Sequence, residues 1–551
     1  MHKQILTAIL IFFTLIQTTQ AAQHAMVVTD QHLATDVGVS ILKQGGNAID
    51  AAVAVGYALA VVDPCCGNIG GGGFMTLHLA NNQNIIINFR ERAPLTAQKD
   101  MFLDKNGNII PNKSNHGYTS VATPGTVMGL EYALKKYGTL PRERIMSPAI
   151  ELAEKGFTLT PGDIKILTQN TNELKKQANV AAIFLKNGRP YKVGDRLVQT
   201  DLANSLKQIA EQGSDAFYQG DIANTIVQAS QDHGGLLSLI DFVDYSVETM
   251  KPITCTYHGY TIISAPPPSS GGIALCEMLN ILELDQLKNH SAQSTHDIVE
   301  AMRYAFYDRN NQISDPDFVK VDVSSLTSKA YAKKIHDKIP EFKASTSLPS
   351  ITPTTEGQHT THYSIVDSAG NAVSVTYTLN SLFGAAIIAG DTGILLNNSM
   401  DDFSKKPGST NQFGLVENKN NLVQPGKRPL SSMTPTILLD KNKVLMVIGS
   451  PGGPRIITST LLTILNVLDF KMDIQSAVNA RRYHHQWLPD SIDIEANAFT
   501  PSLQKDLTQR GYRFTPQADW GAVEAIYIAP NSHIIEGAND KRRPAGLALG
   551  Y

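Results

Sequence analysis

At Thr360 the chain changes character within a few residues. Ser345 to His359 is rich in Ser and Thr, carries Pro349 and Pro353, and shows no apolar period. From His362 to Thr378 the residues alternate as a strand does, turn at Ser368–Ala369–Gly370–Asn371, and alternate again. A polar tail joined at a threonine to a strand bound for a core is a place where scission would expose a reactive amino terminus. Such a terminus carries a hydroxyl and an amine on one residue, so nucleophile and base arrive together.

The rest of the chain is compatible with a large globular enzyme. Its 551 residues are 42% hydrophobic and 18% charged, enough for a sizeable core in one large α/β unit or several domains. A net charge of −3 gives no reason to expect a nucleic-acid partner or an anionic membrane surface. The short basic cluster Lys541–Arg542–Arg543 reads as a solvated surface patch. Residues 1–22 read as an export signal, with Lys3, the apolar run Ile5 to Ile16, and the small-residue zone Thr19–Gln20–Ala21–Ala22. That run is too short to span a bilayer comfortably, and Ala48 to Val62, interrupted by Asp50 and Gly56, reads as a buried helix. A periplasmic or secreted protein without stable membrane insertion is expected. Export permits disulfides among Cys65, Cys66, Cys255 and Cys276, although the adjacent Cys65 and Cys66 are an awkward pair to join. No CxxC spacing suggests zinc; buried thiols and one bridge both remain open.

Leu33–Gln44 and Ala48–Val62 are predicted helices, with Gly45–Gly46 stopping the first and Asn47 capping the second. Phe74–Leu79 and Ile85–Phe89 are predicted strands. A long, mainly helical region from Thr126 to Gln312 includes a helix Thr295–Arg309 capped by Thr295. Beyond Thr360 come two hairpins, over 362–378 and 434–449, and an apolar helix Ile456–Phe470. Strands flanked by helices on both sides imply a layered α/β/β/α or mixed α/β architecture.

Four constellations bear on chemistry. The tract Gly70–Gly71–Gly72–Gly73 follows a helix and enters a strand, the reverse of a nucleotide loop, so close backbone packing is the better reading. In Gly449–Ser450–Pro451–Gly452–Gly453, Pro451 lacks the N–H that a serine nucleophile would need behind it; the amides of Gly452 and Gly453, just ahead of a helix, suit a developing oxyanion. Arg90 at a strand end either grips a carboxylate or forms a surface pair with Glu91. His484–His485 have no partners at metal-site spacing and read as structural.

Taken in order, several stretches resemble γ-glutamyltransferase, an amino-terminal-nucleophile hydrolase, from about His24 to Tyr551. They are Asp63–Pro64, Gly70–Phe74, Asn88–Pro94, Thr123–Thr126, Ala265–Gly272, Thr360–Ser364, Lys427–Met433 and Gly449–Gly453. The resemblance implies a four-layer αββα sandwich built jointly by two autoprocessed subunits: a large one over 23–359 and a small one over 360–551. It implies that Thr360 attacks first the preceding peptide carbonyl and then a γ-glutamyl carbon, with Thr378 bonded to the new terminus and Gly452 and Gly453 as the oxyanion hole. Arg90 with Ser431 and Ser432 would hold the substrate α-carboxylate, and Asp402 with Asn380 the α-ammonium. No cofactor or metal is implied.

The expected activity is cleavage of glutathione and other γ-glutamyl compounds through a γ-glutamyl-Thr360 intermediate, with transfer to water, amino acids or peptides. Two departures stand out. Ser399 replaces a longer polar residue that contacts the α-amine in many bacterial relatives, and Phe413, in the lid segment 407–418, stands where relatives often have Tyr. Loss of that hydroxyl removes one hydrogen bond from the lid and predicts looser closure. The alternatives are a related glutaryl or cephalosporin-type acylase, which would not need Asp402, and an exported binding protein that is never cut.

Overall fold

The computed structural model describes residues 20–288, 291–349, 360–416 and 418–551. Most of the expected export signal, and the residues just before Thr360, lie outside them. Gln20–Ala22 forms an edge strand paired with Ile535–Gly537. Among the described residues, no helix is long and apolar enough to cross a membrane.

Two seven-stranded sheets form the centre of the molecule. One runs Leu547–Gly550, Met26–Thr29, Thr361–Val366, Ala372–Thr378, Gly72–His78, Asn84–Asn88, Glu248–Met250; its pairings are antiparallel. The other runs Gln20–Ala22, Ile535–Ala538, Glu524–Ile528, Lys443–Gly449, Thr436–Asp440, Tyr260–Ser264, Ile253–Tyr257. The sheets face each other, with Lys443–Gly449 packed on the hairpin 361–378. Helices His32–Lys43 and Ala48–Val62 cover the outer face of the first sheet, and Gly271–Leu282 and Arg455–Leu468 that of the second. The result is the four-layer αββα architecture.

Burial on both faces explains why the central strands read as unbroken apolar or small-residue runs. All residues of Thr361–Val366, Ala372–Thr378 and Gly72–His78 are buried, as is every residue of Ala48–Val62. Each fully buried Val, Leu or Ile contributes about 1.5–3 kcal/mol. Asn47 starts this helix by the predicted device: its side chain accepts from the Ile49 and Asp50 amides while Asp50 Oδ2 accepts from Asn47 N at 2.8 Å.

Several expectations are corrected. The helix expected at Thr295–Arg309 spans Ala292–Gln312 and is capped by Ser291, whose hydroxyl accepts from Ser294 N; Thr295 instead donates to Ser291 O. Cys65 and Cys66 are bridged to each other, and Cys255 to Cys276. Arg542 and Arg543 are buried rather than solvated. Arg542 is neutralised by Asp540 and Glu495, while Arg543 lays its guanidinium on the Cys65 and Cys66 sulfurs.

Candidate active site

Thr360 lies where the chain enters strand Thr361–Val366, opposite the end of Ala372–Thr378 in the antiparallel register. Its Oγ1 is 2.9 Å from Thr378 Oγ1, and both residues are buried. Thr378 Oγ1 also accepts from Asn380 N at 2.9 Å, which fixes its orientation. The φ of Thr360 is +96°, in the left-handed region that β-branched residues avoid. The junction therefore carries backbone strain.

The glycine tract makes this arrangement possible. A Cβ on Gly71 would fall 1.9 Å from Thr378 O, and one on Gly73 2.3 Å from Thr376 O. Side chains there would push strand Gly72–His78 off the strand that carries Thr378.

Gly452 and Gly453 have φ of +128° and +56°, values open to glycine. Their carbonyls accept from Arg455 N and Ile456 N, both at 3.1 Å, and open helix Arg455–Leu468. Among the described residues neither glycine N–H donates a hydrogen bond. Two such amides at a helix start, beside a hydroxyl, suit a negatively charged oxygen. Ser450 is unsuited to attack: its hydroxyl is buried, donates to Pro451 O at 2.8 Å and accepts from Ala522 N.

Arg90 is fully buried, so the surface-pair reading fails. Its Nη1 meets Glu91 Oε2 at 2.8 Å, and its Nη2 pairs with Asp402. Burial opposes the charge on Arg90, but the Glu91 and Asp402 carboxylates outweigh it and hold the guanidinium above the usual arginine range. Tyr245 Oη and Arg428 Nη1 both donate to Arg90 O, and Arg428 lies over the Tyr245 ring.

Thr360, Thr378, Arg90, Asn380, Asp402, Ser431, Ser432 and Gly453 line one narrow cleft. Ser399 and Gly452 do not line it. The Ser399 hydroxyl is buried and donates to Glu91 Oε1 at 2.6 Å, and Gly452 sits one residue behind Gly453.

Asn411, Phe413 and Leu415, from the expected lid segment, line this cleft as well. Phe413 packs on Gly453, where a Cβ would meet the ring at 3.0 Å, and Phe413 O accepts from Gln486 Nε2 at 3.1 Å. Gln412 N donates to Asp401 Oδ2 at 3.0 Å, and Gln412 Oε1 accepts from Ser381 Oγ at 2.9 Å. Glu91 as a buried bridge and Asp401 and Gln486 as lid anchors were not anticipated. Asp401 beside Asp402 was a visible signal for one of them. His484 and His485 are structural: burial pushes both toward the neutral form, and they bond Thr458, Gln486 and Asp490.

The family model described as Gamma-glutamyltranspeptidase matches residues 34–550. A glutathione hydrolase proenzyme of Pseudomonas sp. (strain A14) is 50% identical over 97% of this chain and 96% of its own length. A second, from Escherichia coli (strain K12), is 47% identical over 96% of this chain and 92% of its own length. A solved cephalosporin acylase from Bacillus halodurans superposes with a TM-score of 0.88 at 27% identity, covering 100% of this chain and 99% of that one.

Proposed function

The chain belongs to the gamma-glutamyltranspeptidase family and has that family's activity on glutathione, and from this premise we propose how its own residues carry out the reaction. The observation that carries the reading is the 2.9 Å contact between Thr360 Oγ1 and Thr378 Oγ1 at the floor of a cleft that also holds Arg90, Asp402 and Gly453.

The precursor is cut before Thr360, giving a large subunit over 23–359 and a small one over 360–551, with residues 1–22 removed on export to the periplasm or medium. In the cut, Thr360 Oγ attacks the carbonyl carbon of residue 359, and the strained φ of +96° favours release of that peptide bond. The peptide C–N bond breaks as the acyl group moves to Oγ, which frees the Thr360 amine; water then hydrolyses the resulting ester, restores the Thr360 hydroxyl and separates the two chains. A terminal amine has a pKa of ~7.7–8.0, suited to taking the hydroxyl proton near neutral pH.

In turnover, Thr360 Oγ attacks the γ-carbonyl carbon of the donor, and the Gly452 and Gly453 amides receive the oxyanion. The amine passes its proton to the departing amino group. Water or an acceptor amine then repeats the attack on the γ-glutamyl ester.

The α-amino acid end of the donor carries one charge of each sign. Arg90 takes the α-carboxylate with help from Ser431 and Ser432, and Asp402 takes the α-ammonium with Asn380. Inserting the zwitterion between Arg90 and Asp402 exchanges one internal ion pair for two, so little desolvation is left uncompensated. A glutaryl side chain offers nothing to Asp402, which favours the γ-glutamyl donor over the acylase alternative. Edman sequencing of the small fragment tests the reading: it must begin Thr-Thr-His-Tyr-Ser, and any other start refutes it.

A further inference from the structure

Beside Thr361 lies a group of buried acids that the reaction above does not use. Asp30 follows strand Met26–Thr29, and its Oδ2 accepts from Thr361 Oγ1 at 2.8 Å. Glu524 begins strand Glu524–Ile528. Both carboxyls are buried and interact with each other, and Asp30 Oδ1 and both Glu524 oxygens meet no donor from any N–H or hydroxyl among the described residues. Two ionised carboxylates would repel each other at this depth with no donor to offset it, and a hydrogen carried by one of them supplies that donor.

The backbone around the pair explains why it matters. Thr361 is the residue after the nucleophile. Glu524 pairs with Gly449, three residues before Gly452, and Glu524 O accepts from Ser364 Oγ at 2.9 Å. The pair thus ties the strand that delivers Thr360 to the strand that leads to the oxyanion amides.

We propose that Asp30 and Glu524 share a single proton, and that the bridged pair is a positioning device that keeps Thr360 in register with Gly452 and Gly453.

The surrounding charges agree. Arg543 and Asp540 face the pair from the carboxy-terminal segment, and Asp63 from the end of helix Ala48–Val62. Asp540 is engaged by Arg482 and Arg542, and Arg542 also by Glu495. Arg481 reaches Glu495 only at 4.0 Å and from a partly exposed position, and Asp163 adds a further acid beside Asp63. The carboxyls of this cluster therefore outnumber the guanidiniums that face them, and protons must cover the excess at this depth. Asp63, pushed up to about 8 chiefly by burial, takes one. The pair takes another; burial raises both of its members. When that proton leaves at high pH, two adjacent carboxylates repel and the two strands lose their tie.

The test uses the full-length matured enzyme, with Glu524→Gln keeping a donor that cannot ionise and Glu524→Met removing it. At pH 7, infrared spectra of the wild type should show protonated carboxyl absorption, to which Asp63 also contributes. The wild-type minus Glu524→Gln difference spectrum should show one further band, assigned to the pair, that bleaches on alkalinisation. The alkaline limb of kcat should move up by roughly one pH unit or more in Glu524→Gln, with KM for a γ-glutamyl anilide within about twofold. Glu524→Met should lose roughly tenfold in kcat at every pH, which corresponds to about 1.4 kcal/mol. Superimposable pH profiles for wild type and Glu524→Gln, or equal losses in the two variants, would overturn the proposal. So would absence of that difference band, which is read equally well on the uncut precursors if a variant does not mature. Only the kinetic arm rests on Thr360 as nucleophile; a band without the kinetic shift would leave the proton and refute the positioning role.

Discussion

Arg90 and Asp402 form a direct ion pair inside the protein although they lie 312 positions apart and on opposite sides of Thr360. A cut before Thr360, as proposed, would leave this pair joining two polypeptides. In the proposed site the same two side chains would then serve both subunit assembly and recognition of a zwitterion.

Arg90→Lys should therefore damage binding more than chemistry. A lysine presents one point charge and cannot meet Glu91, Asp402 and a substrate carboxylate with separate nitrogens. KM for a γ-glutamyl donor should rise at least tenfold while kcat changes less, measured by initial rates on a γ-glutamyl anilide. An unchanged KM would remove Arg90 from the site.

Thr360→Ala keeps the strand but lacks the hydroxyl proposed to attack in both maturation and turnover. Denaturing electrophoresis should show one uncut chain, and activity should be lost. A normally processed Thr360→Ala protein would refute the nucleophile assignment.

Features set by local chemistry were legible in the sequence. The Asn47 cap, the all-apolar helix Ala48–Val62, and the hairpins flanking Gly370 and Lys441–Asn442 depend on residues within one or two turns of each other, and all appear in the fold. Features set by distant partners were not. The cluster Lys541–Arg542–Arg543 looked solvated because the acid that buries Arg542 at 2.7 Å, Glu495, is 47 positions away, and the sulfurs on Arg543 are nearly the whole chain away. Likewise Arg90–Glu91 looked like a surface pair because Asp402 and Arg428 come from the other side of Thr360. The helix cap moved from Thr295 to Ser291 because both residue types suit the role, and only the Ser291 hydroxyl meets a free amide, that of Ser294.

Phe413 has no phenolic hydroxyl, and its segment is held by the Gln412–Asp401 and Gln486–Phe413 hydrogen bonds together with packing on Gly453. Phe413→Tyr adds a donor at the cleft mouth. It should shift products toward transfer at a fixed acceptor concentration, by slowing access of water to the γ-glutamyl ester. Asp401→Asn should shift them toward hydrolysis by loosening the Gln412 contact. Product ratios with and without an amino-acid acceptor read both effects, and identical ratios across the three proteins would refute a role for this segment.

Asp63 gives a stability prediction with a definite sign. Its carboxyl is buried at the end of helix Ala48–Val62, next to Asp30 and 3.2 Å from Cys65 Sγ; burial, opposed by Arg543, pushes it up to about 8. The native protein therefore holds a proton that the unfolded chain releases above its ordinary aspartate value of about 4. Stability from this group is fully present below that value, declines as pH rises toward 8, and changes no further above it. Asp63→Asn cannot ionise in either state and removes this decline. Between pH 5 and pH 8 the thermal midpoint of the wild type should fall more than that of Asp63→Asn, and the variant should gain at least about 1 kcal/mol relative to wild type across that interval. Parallel curves for the two proteins would mean that Asp63 is ionised in the folded state, and the count of protons in the buried cluster would then be wrong by one.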